Sequence, residues 1–148
     1  MKTIYLVACV AQKAQVPLPA EELYTSDWFR KARSYVKSQI QGKKENRWFI
    51  LSAKHHLLDP CTQITPYDET LNEMPKSDRS RWSDQVCCDL LQKTNANDRI
   101  VILAGAKYRD SLEFCLRKRG YTVEVPMVGL RIGEQLHWLE SHTGPSRE

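Results

Sequence analysis

The chain has 148 residues, of which 41% are hydrophobic and 27% charged, and this length suits one domain because domains usually contain about 100–150 residues. Its 22 basic and 18 acidic residues give a formal net charge of +4, an excess too small to mark a dedicated nucleic-acid binder. No apolar run reaches the roughly 20 residues of a membrane span, and the N-terminus lacks a signal-peptide pattern. We therefore expect a cytoplasmic protein with no membrane partner, one α/β domain over residues 1–142 and a flexible tail over residues 143–148.

The first predicted element is a strand in TIYLVACV, residues 3–10, because an uninterrupted apolar and β-branched run is typical of a strand buried on both faces. A connection with two prolines follows over residues 15–24. Ser26 then predicts the cap of a helix over residues 27–40, in which apolar side chains recur at helical spacing. The run RWFILSA, residues 47–53, predicts a second buried strand.

Residues 54–78 contain three prolines and are too long and too punctuated for an ordinary connector, and such loops are usually functional or flexible. Beyond this segment the apolar patterns predict the rest of the fold: a helix over 78–93, a strand over 99–105, a helix over 107–120, a strand over 121–126 and a helix over 129–142.

The alternation of strands and helices predicts a three-layer α/β sandwich, with a mostly parallel sheet of about four strands and helices on both faces. Ligands in such folds bind beyond the carboxyl ends of the strands. Four segments follow the predicted strands and are expected to converge on one cleft: residues 9–13, 52–59, 105–109 and 126–133.

The segment after the first strand offers Cys9, Gln12 and Lys13 as candidate substrate-binding residues. Lys13 could meet a phosphate or carboxylate that the N–H groups of the turn also bind, although a solvated loop lysine is an equal alternative. No glycine-rich cradle precedes Lys13, so ATP hydrolysis is not indicated. The five cysteines lack metal-ligand spacing, and we predict reduced thiols, no metal and no cofactor.

The segment after the second strand offers Lys54, a cation, and His55, a candidate catalytic donor or general acid. A histidine bonded to a loop carbonyl is the commoner alternative for His55. Farther along, Asp68 could orient a catalytic water or merely cap a turn. Its neighbour Tyr67 could stack on a base.

The later strand ends offer further candidates for binding. Gly105 lets a ligand approach the backbone, while Tyr108 and Arg109 supply an aromatic face and a fork of donors. Gly129 and Gly133 lie around the start of the last helix, where backbone N–H groups could bind a ligand. Close packing is the alternative role of these two glycines. The amide side chain of Gln135 nearby could form hydrogen bonds with the edge of a base.

The patterns LYTSDWFRKAR, ILSAKHHLLDP, TPYDETL, LAGAKYRDSL and VPMVGLRIGEQLHWL resemble, over nearly the whole chain, a bacterial and phage domain of unknown function, number 6884. Sequences with that pattern often read SAKYGL or SAKHGL where this chain reads SAKHHL, and GLGIGQQL where it reads GLRIGEQL. Glycine thus replaces His56 and glutamine replaces Glu134, which argues against functional roles for these two residues.

A remoter resemblance is to YaaA-type proteins, which are linked to peroxide stress and DNA binding. It implies roles for residues of the CVAQK and LSAKHHLLDPCTQITPYDETL segments: Lys13, Ser52, Leu58, Pro60, Pro66 and Tyr67. The order of strands is also similar in outline to the uracil-DNA glycosylase type of fold, an analogy of architecture alone.

These observations favour a domain that recognises a nucleobase or nucleotide within DNA or RNA and that hydrolyses or exchanges an N-glycosidic bond. In this hypothesis Tyr67 or Tyr108 stacks on the base, and Lys13 and Arg109 hold phosphate. One alternative is a DNA-binding stress or phage-defence protein without catalysis. The other is an enzyme for a small nucleotide or phosphosugar.

Overall fold

A computed structural model describes residues 2–8 and 13–144 of the chain. Its elements are, in chain order, β1 (Thr3–Ala8), β2 (Leu18–Pro19), α1 (Ala20–Leu23), α2 (Asp27–Ile40), β3 (Arg47–Ser52), β4 (His56–Leu58), β5 (Gln63–Ile64), a 3-10 turn (Leu71–Glu73), α3 (Lys76–Lys93), β6 (Arg99–Leu103), α4 (Ala106–Lys118), β7 (Thr122–Glu124) and α5 (Ile132–His142).

The main sheet has five strands in the order β4-β3-β1-β6-β7. All neighbours pair in parallel except β4, which runs antiparallel to β3. Strand β1 lies at the centre, where Tyr5 is opposite Trp48 on one side and Val101 on the other, and every residue of β1 is buried. The predicted mixed α/β fold with a mostly parallel sheet is confirmed.

Four helices cover the two faces of this sheet. Helices α2 and α5 contact each other, as do α3 and α4, in the two outer layers that right-handed crossovers produce. The predicted cap of α2 is present, since Ser26 Oγ accepts a hydrogen bond from Phe29 N at 3.1 Å. Helix α3 begins two residues earlier than expected, directly after Pro75 at its N-cap.

The segments that lacked a clear pattern contain more regular structure than expected. His56 adopts a positive φ of 62°, and the chain reverses there so that β4 pairs back onto β3 as a fifth strand. The proline-rich connection before α2 holds β2 and α1, and Leu18 of β2 pairs with Ile64 of β5 in a separate two-stranded sheet. Short elements of this kind carry too few residues for a periodic pattern.

The chain order of the strands places a topological switch point beside β1. From β1 the chain moves to β3 on one side, and later to β6 on the other, so the loops after these strands separate at the carboxyl edge of the sheet. Of the predicted tail, Thr143 and Gly144 belong to the described residues, while 145–148 lie outside them. Across the described part of the chain, no helix is long and apolar enough to cross a membrane.

Candidate functional site

The backbone around Lys13 is held against the segment that precedes α2. Lys13 forms an isolated antiparallel bridge with Tyr24, and Ala14 N donates to Leu23 O at 2.8 Å. The predicted binding residues Cys9 and Gln12 lie outside the described residues.

Three buried hydroxyl groups meet beside Lys13 and form a chain of hydrogen bonds, called here the hydroxyl chain: Tyr24, Tyr67 and Ser52. The phenol oxygen of Tyr67 lies 2.5 Å from that of Tyr24 and 2.7 Å from Ser52 Oγ. Ser52 Oγ also accepts a hydrogen bond from His55 N at 3.0 Å. Tyr67 therefore joins the irregular segment after β3 both to the last residue of that strand and to the segment before α2.

Two ammonium groups lie near the ring of Tyr67. Lys13 Nζ is 4.6 Å from the ring centroid and Lys54 Nζ is 6.0 Å from it. The negative face of an aromatic ring attracts cations at these separations, so Tyr67 helps to keep two positive charges close together. The result is a concentration of positive charge at the carboxyl ends of β1 and β3.

The His55 imidazole meets the Tyr67 ring edge-on, with 5.4 Å between ring centroids. Burial lowers the pKa of His55 below its usual value, and the neighbouring Lys54 ammonium lowers it further, against the opposing effect of Glu69. The imidazole is therefore neutral near pH 7, with one nitrogen able to accept a proton.

An open depression of about 790 Å³ lies at this end of the sheet. It is called here the Lys13 depression, and the described residues that line it are Lys13, Ala14, Gln15, Thr25, Pro66, Tyr67 and Asp68. Its volume falls within the roughly 300–1,000 Å³ of typical small-molecule sites. An ammonium, a hydroxyl and an exposed carboxylate thus face one solvent-filled space.

Five residues predicted for the site come together here. Lys13, Tyr67 and Asp68 line the depression, and Lys54 and His55 lie against the ring of Tyr67. Tyr67 is only 8% exposed, so its ring offers little surface for the predicted stacking on a base.

Tyr24 is the residue of the site that sequence reasoning missed. It ends a proline-containing connection and is buried at 1% exposure, bonded through its hydroxyl to Tyr67. No periodic pattern surrounds it, and its position depends on tertiary contacts, among them the bridge to Lys13. A tyrosine two residues before the predicted cap Ser26 was the one available signal.

The predicted residues at the end of β6 are placed elsewhere. Tyr108 is buried, its hydroxyl accepts a hydrogen bond from Leu71 N at 3.5 Å, and its ring packs edge-on against Trp82. Arg109 Nε faces two acids of its own helix, 3.7 Å from Asp110 and 4.0 Å from Glu113. Neither residue is among the described residues that line the Lys13 depression.

Gly105 caps α4 with an ordinary φ of −71°, and an added Cβ would meet nothing within 4 Å. The predicted residues around the start of α5 have mainly structural contacts. Gly129 has a φ of 81°, a left-handed conformation that favours glycine in this turn, whereas Gly133 is exposed in the first turn of α5. Gln135 accepts a hydrogen bond from Trp28 Nε1 and donates one to Leu130 O, both at 2.9 Å.

Within residues 2–8 and 13–144, no group of three or more His, Cys, Asp or Glu side chains is arranged to hold a metal ion.

A family model described as a family of unknown function, DUF6884, matches residues 4–141. No curated protein and no solved structure matches the chain. The remoter similarity to YaaA-type proteins stays a prediction.

Proposed function

We propose that this chain, which belongs to the DUF6884 family of unknown function, binds a nucleotide unit of DNA or RNA in the Lys13 depression. The charges of the site are the basis for this proposal. One observation carries this proposal. Lys13 and Lys54 bring two ammonium groups to within about 6 Å of the same tyrosine ring at the carboxyl ends of central parallel strands. A phosphate dianion or diester is the ligand that best complements such a cluster.

The other side chains of the depression suit the remainder of a nucleotide. The Asp68 carboxylate repels phosphate but accepts hydrogen bonds from the amino and imino groups of a base. Thr25 adds a hydroxyl that can donate or accept, and Pro66 adds an apolar surface beside it. We therefore orient the phosphate toward Lys13 and Lys54 and the base toward Asp68.

The openness of the site favours a nucleotide within a polymer. A depression of about 790 Å³ that opens to solvent suits a nucleotide whose 5′ and 3′ sides continue into a strand. A free mononucleotide fits the same chemistry, and the experiment below separates the two ligands.

Thermal unfolding with ligands tests this proposal. A nucleoside monophosphate and a short DNA or RNA strand should each raise the melting temperature, and the parent nucleoside should do so much less, because ligands that bind only the folded state stabilise it. Lys13→Gln should remove most of the shift. The exposed turn residue Lys44 provides a matched control, since Lys44→Gln removes the same charge away from the depression. An equal loss in both variants would contradict a phosphate site at Lys13.

The proposal has a catalytic form in which the bound nucleotide loses its base. Water attacks the anomeric carbon, the N-glycosidic bond breaks, and the base leaves with a proton while the sugar gains a hydroxyl. The Asp68 carboxylate would take the proton of the attacking water. The neutral imidazole of His55 is the nearby candidate for a proton donor and acceptor.

Asp68→Asn tests this form, because an amide keeps the shape of the side chain but cannot take the proton. We expect release of free base to stop while most of the ligand-induced melting shift persists, because the amide oxygen still accepts a hydrogen bond from the base. Glu73→Gln is the control, because Glu73 is an exposed acid of the 3-10 turn that is not among the described lining residues. Equal loss of binding and turnover in Asp68→Asn would eliminate its catalytic role, and binding without any product would leave a non-catalytic nucleic-acid protein.

A further inference from the structure

The turn between β7 and α5, residues 125–132, exposes two large aliphatic side chains to solvent. Val128 is 60% exposed and Ile132 is 62% exposed, whereas Met127 between β7 and Val128 is buried. This segment is called here the apolar turn. The two β-branched residues lie four positions apart in the chain, and each offers apolar surface that a ligand or partner can cover.

The apolar turn is a rigid part of the fold. Gly129 provides the positive φ of 81° that its backbone requires. Gln135 donates a side-chain hydrogen bond to Leu130 O at 2.9 Å, and the Arg131 amide donates to the Glu134 carboxylate at 3.0 Å. These bonds constrain the backbone of the turn before any ligand binds, which lowers the entropy lost on binding.

The apolar turn lies on the same edge of the sheet as the Lys13 depression. It follows the carboxyl end of β7, which is separated from β1 only by β6 and therefore by two strand spacings of about 4.8 Å each. Because Glu124, the last residue of β7, is level with Tyr5 of β1, β1 extends about 10 Å farther, to Ala8, and the two strand ends lie about 14 Å apart. A side-chain contact also links the two regions. Gln135, three residues beyond Ile132, accepts a hydrogen bond from Trp28, and Thr25, three residues before Trp28, lines the depression.

Each of the four parallel strands is followed by a basic side chain at this edge. Lys13 follows β1, Lys54 follows β3, Lys107 lies in the first turn of α4 after β6, and Arg131 follows β7 at the cap of α5. The last three are exposed. A row of cations across neighbouring strands complements an extended polyanion better than it complements one compact ligand.

We propose that the carboxyl edge binds a single strand of DNA or RNA, with one nucleotide in the Lys13 depression and a base several nucleotides along the strand against Val128 and Ile132. The inference rests on the proposed nucleotide site and extends it to a substrate class. Arg131 lies between Val128 and Ile132 in the chain, and a cation together with aliphatic side chains complements a phosphate together with a base. Bases inside a duplex are covered by their stacked neighbours, so this contact requires unpaired nucleotides.

The span from the depression to the apolar turn sets the length of strand required. At a rise of about 3.4 Å per stacked nucleotide, the separation of about 14 Å between these strand ends corresponds to roughly four nucleotides. Affinity should therefore increase from a mononucleotide to a strand of about four to six nucleotides and change little beyond that length.

Fluorescence anisotropy with single strands of one, two, four, six and ten nucleotides, and with a ten-base-pair duplex, tests the inference. We expect Val128→Ser combined with Ile132→Ser to weaken binding of the six-nucleotide strand about tenfold, because the base then covers less apolar surface, and to leave mononucleotide binding unchanged. Phe114→Ser is the matched control, because Phe114 is 71% exposed on α4 and borders a different groove. Lys13→Gln should weaken binding of every ligand.

Each outcome separates this inference from the proposed function. Lys13-dependent mononucleotide binding with no gain in longer strands would overturn the single-strand inference and leave the nucleotide site intact. A length gain that survives the double substitution, or that Phe114→Ser removes equally, would overturn the role of the apolar turn. Tighter binding of the duplex than of the single strand would also overturn the inference. Absence of binding by any ligand would overturn both proposals.

Discussion

Replacement of Tyr67 by phenylalanine removes the hydroxyl at the centre of the hydroxyl chain and leaves its ring in place. Two hydrogen bonds are removed, one to the Tyr24 phenol at 2.5 Å and one to Ser52 Oγ at 2.7 Å. At about 0.5–1.5 kcal/mol for each net hydrogen bond, Tyr67→Phe should lower the free energy of unfolding by about 1–3 kcal/mol. For a chain of this size that corresponds to a fall of roughly 2–12 °C in melting temperature.

Urea denaturation of Tyr67→Phe, Ser52→Ala and the double variant measures the expected coupling. The double variant should be less destabilised than the sum of the single variants by about 1 kcal/mol, because both remove the same hydrogen bond. Tyr121→Phe is the control, since its hydroxyl has one described partner, Thr94 Oγ1 at 2.6 Å, and it should cost about half as much. A stability of Tyr67→Phe within about 0.3 kcal/mol of the unmodified protein would refute the structural role of the chain.

Three further predictions address protonation, thiol reactivity and helix packing. Burial lowers the pKa of His55, so the folded state binds fewer protons at this residue than the unfolded state does. The free energy of unfolding should therefore fall as pH decreases from about 6.5 toward the folded pKa. Urea titrations at a series of pH values should show that the free energy of unfolding of His55→Gln depends less on pH. Burial raises the pKa of the Cys87 thiol to about 12, and mass spectrometry after iodoacetamide treatment at pH 8 should find its exposed neighbour Cys88 alkylated but Cys87 protected until denaturation. Gln135→Ala removes two side-chain hydrogen bonds around α5. Chemical denaturation should show that the free energy of unfolding falls by about 1–3 kcal/mol. An unchanged free energy of unfolding would contradict a structural role for Gln135.

Strands and helices with long apolar patterns were predictable from the sequence. The buried run of β1 and the capped, amphipathic α2 consist of residues that the pattern indicated, because burial on one or two faces constrains many positions at once. The antiparallel β4 was not predictable in this way. It depends on a left-handed conformation at His56, which is uncommon for a residue with a side chain and leaves no periodic signal.

The candidate site was predictable in part, for a different physical reason. Parallel strands bring their carboxyl ends to one edge, so the proximity of Lys13 to Lys54 follows from the order of elements. The role of Tyr67 as a buried bridge depends instead on a hydrogen bond to Tyr24, 43 residues away in the chain. Tyr108 shows the same effect, since its contacts with Leu71 and Trp82 come from tertiary packing that local sequence does not encode.

The most direct test of nucleotide binding at the Lys13 depression is an amide NMR titration of the isotopically labelled protein with a nucleoside monophosphate. We expect saturable shifts centred on Ala14, Thr25 and Asp68, which line the depression, and no comparable shifts in the groove between α3 and α4. Unchanged spectra, or shifts centred on Ser80 and Ser111 of that groove, would contradict the account.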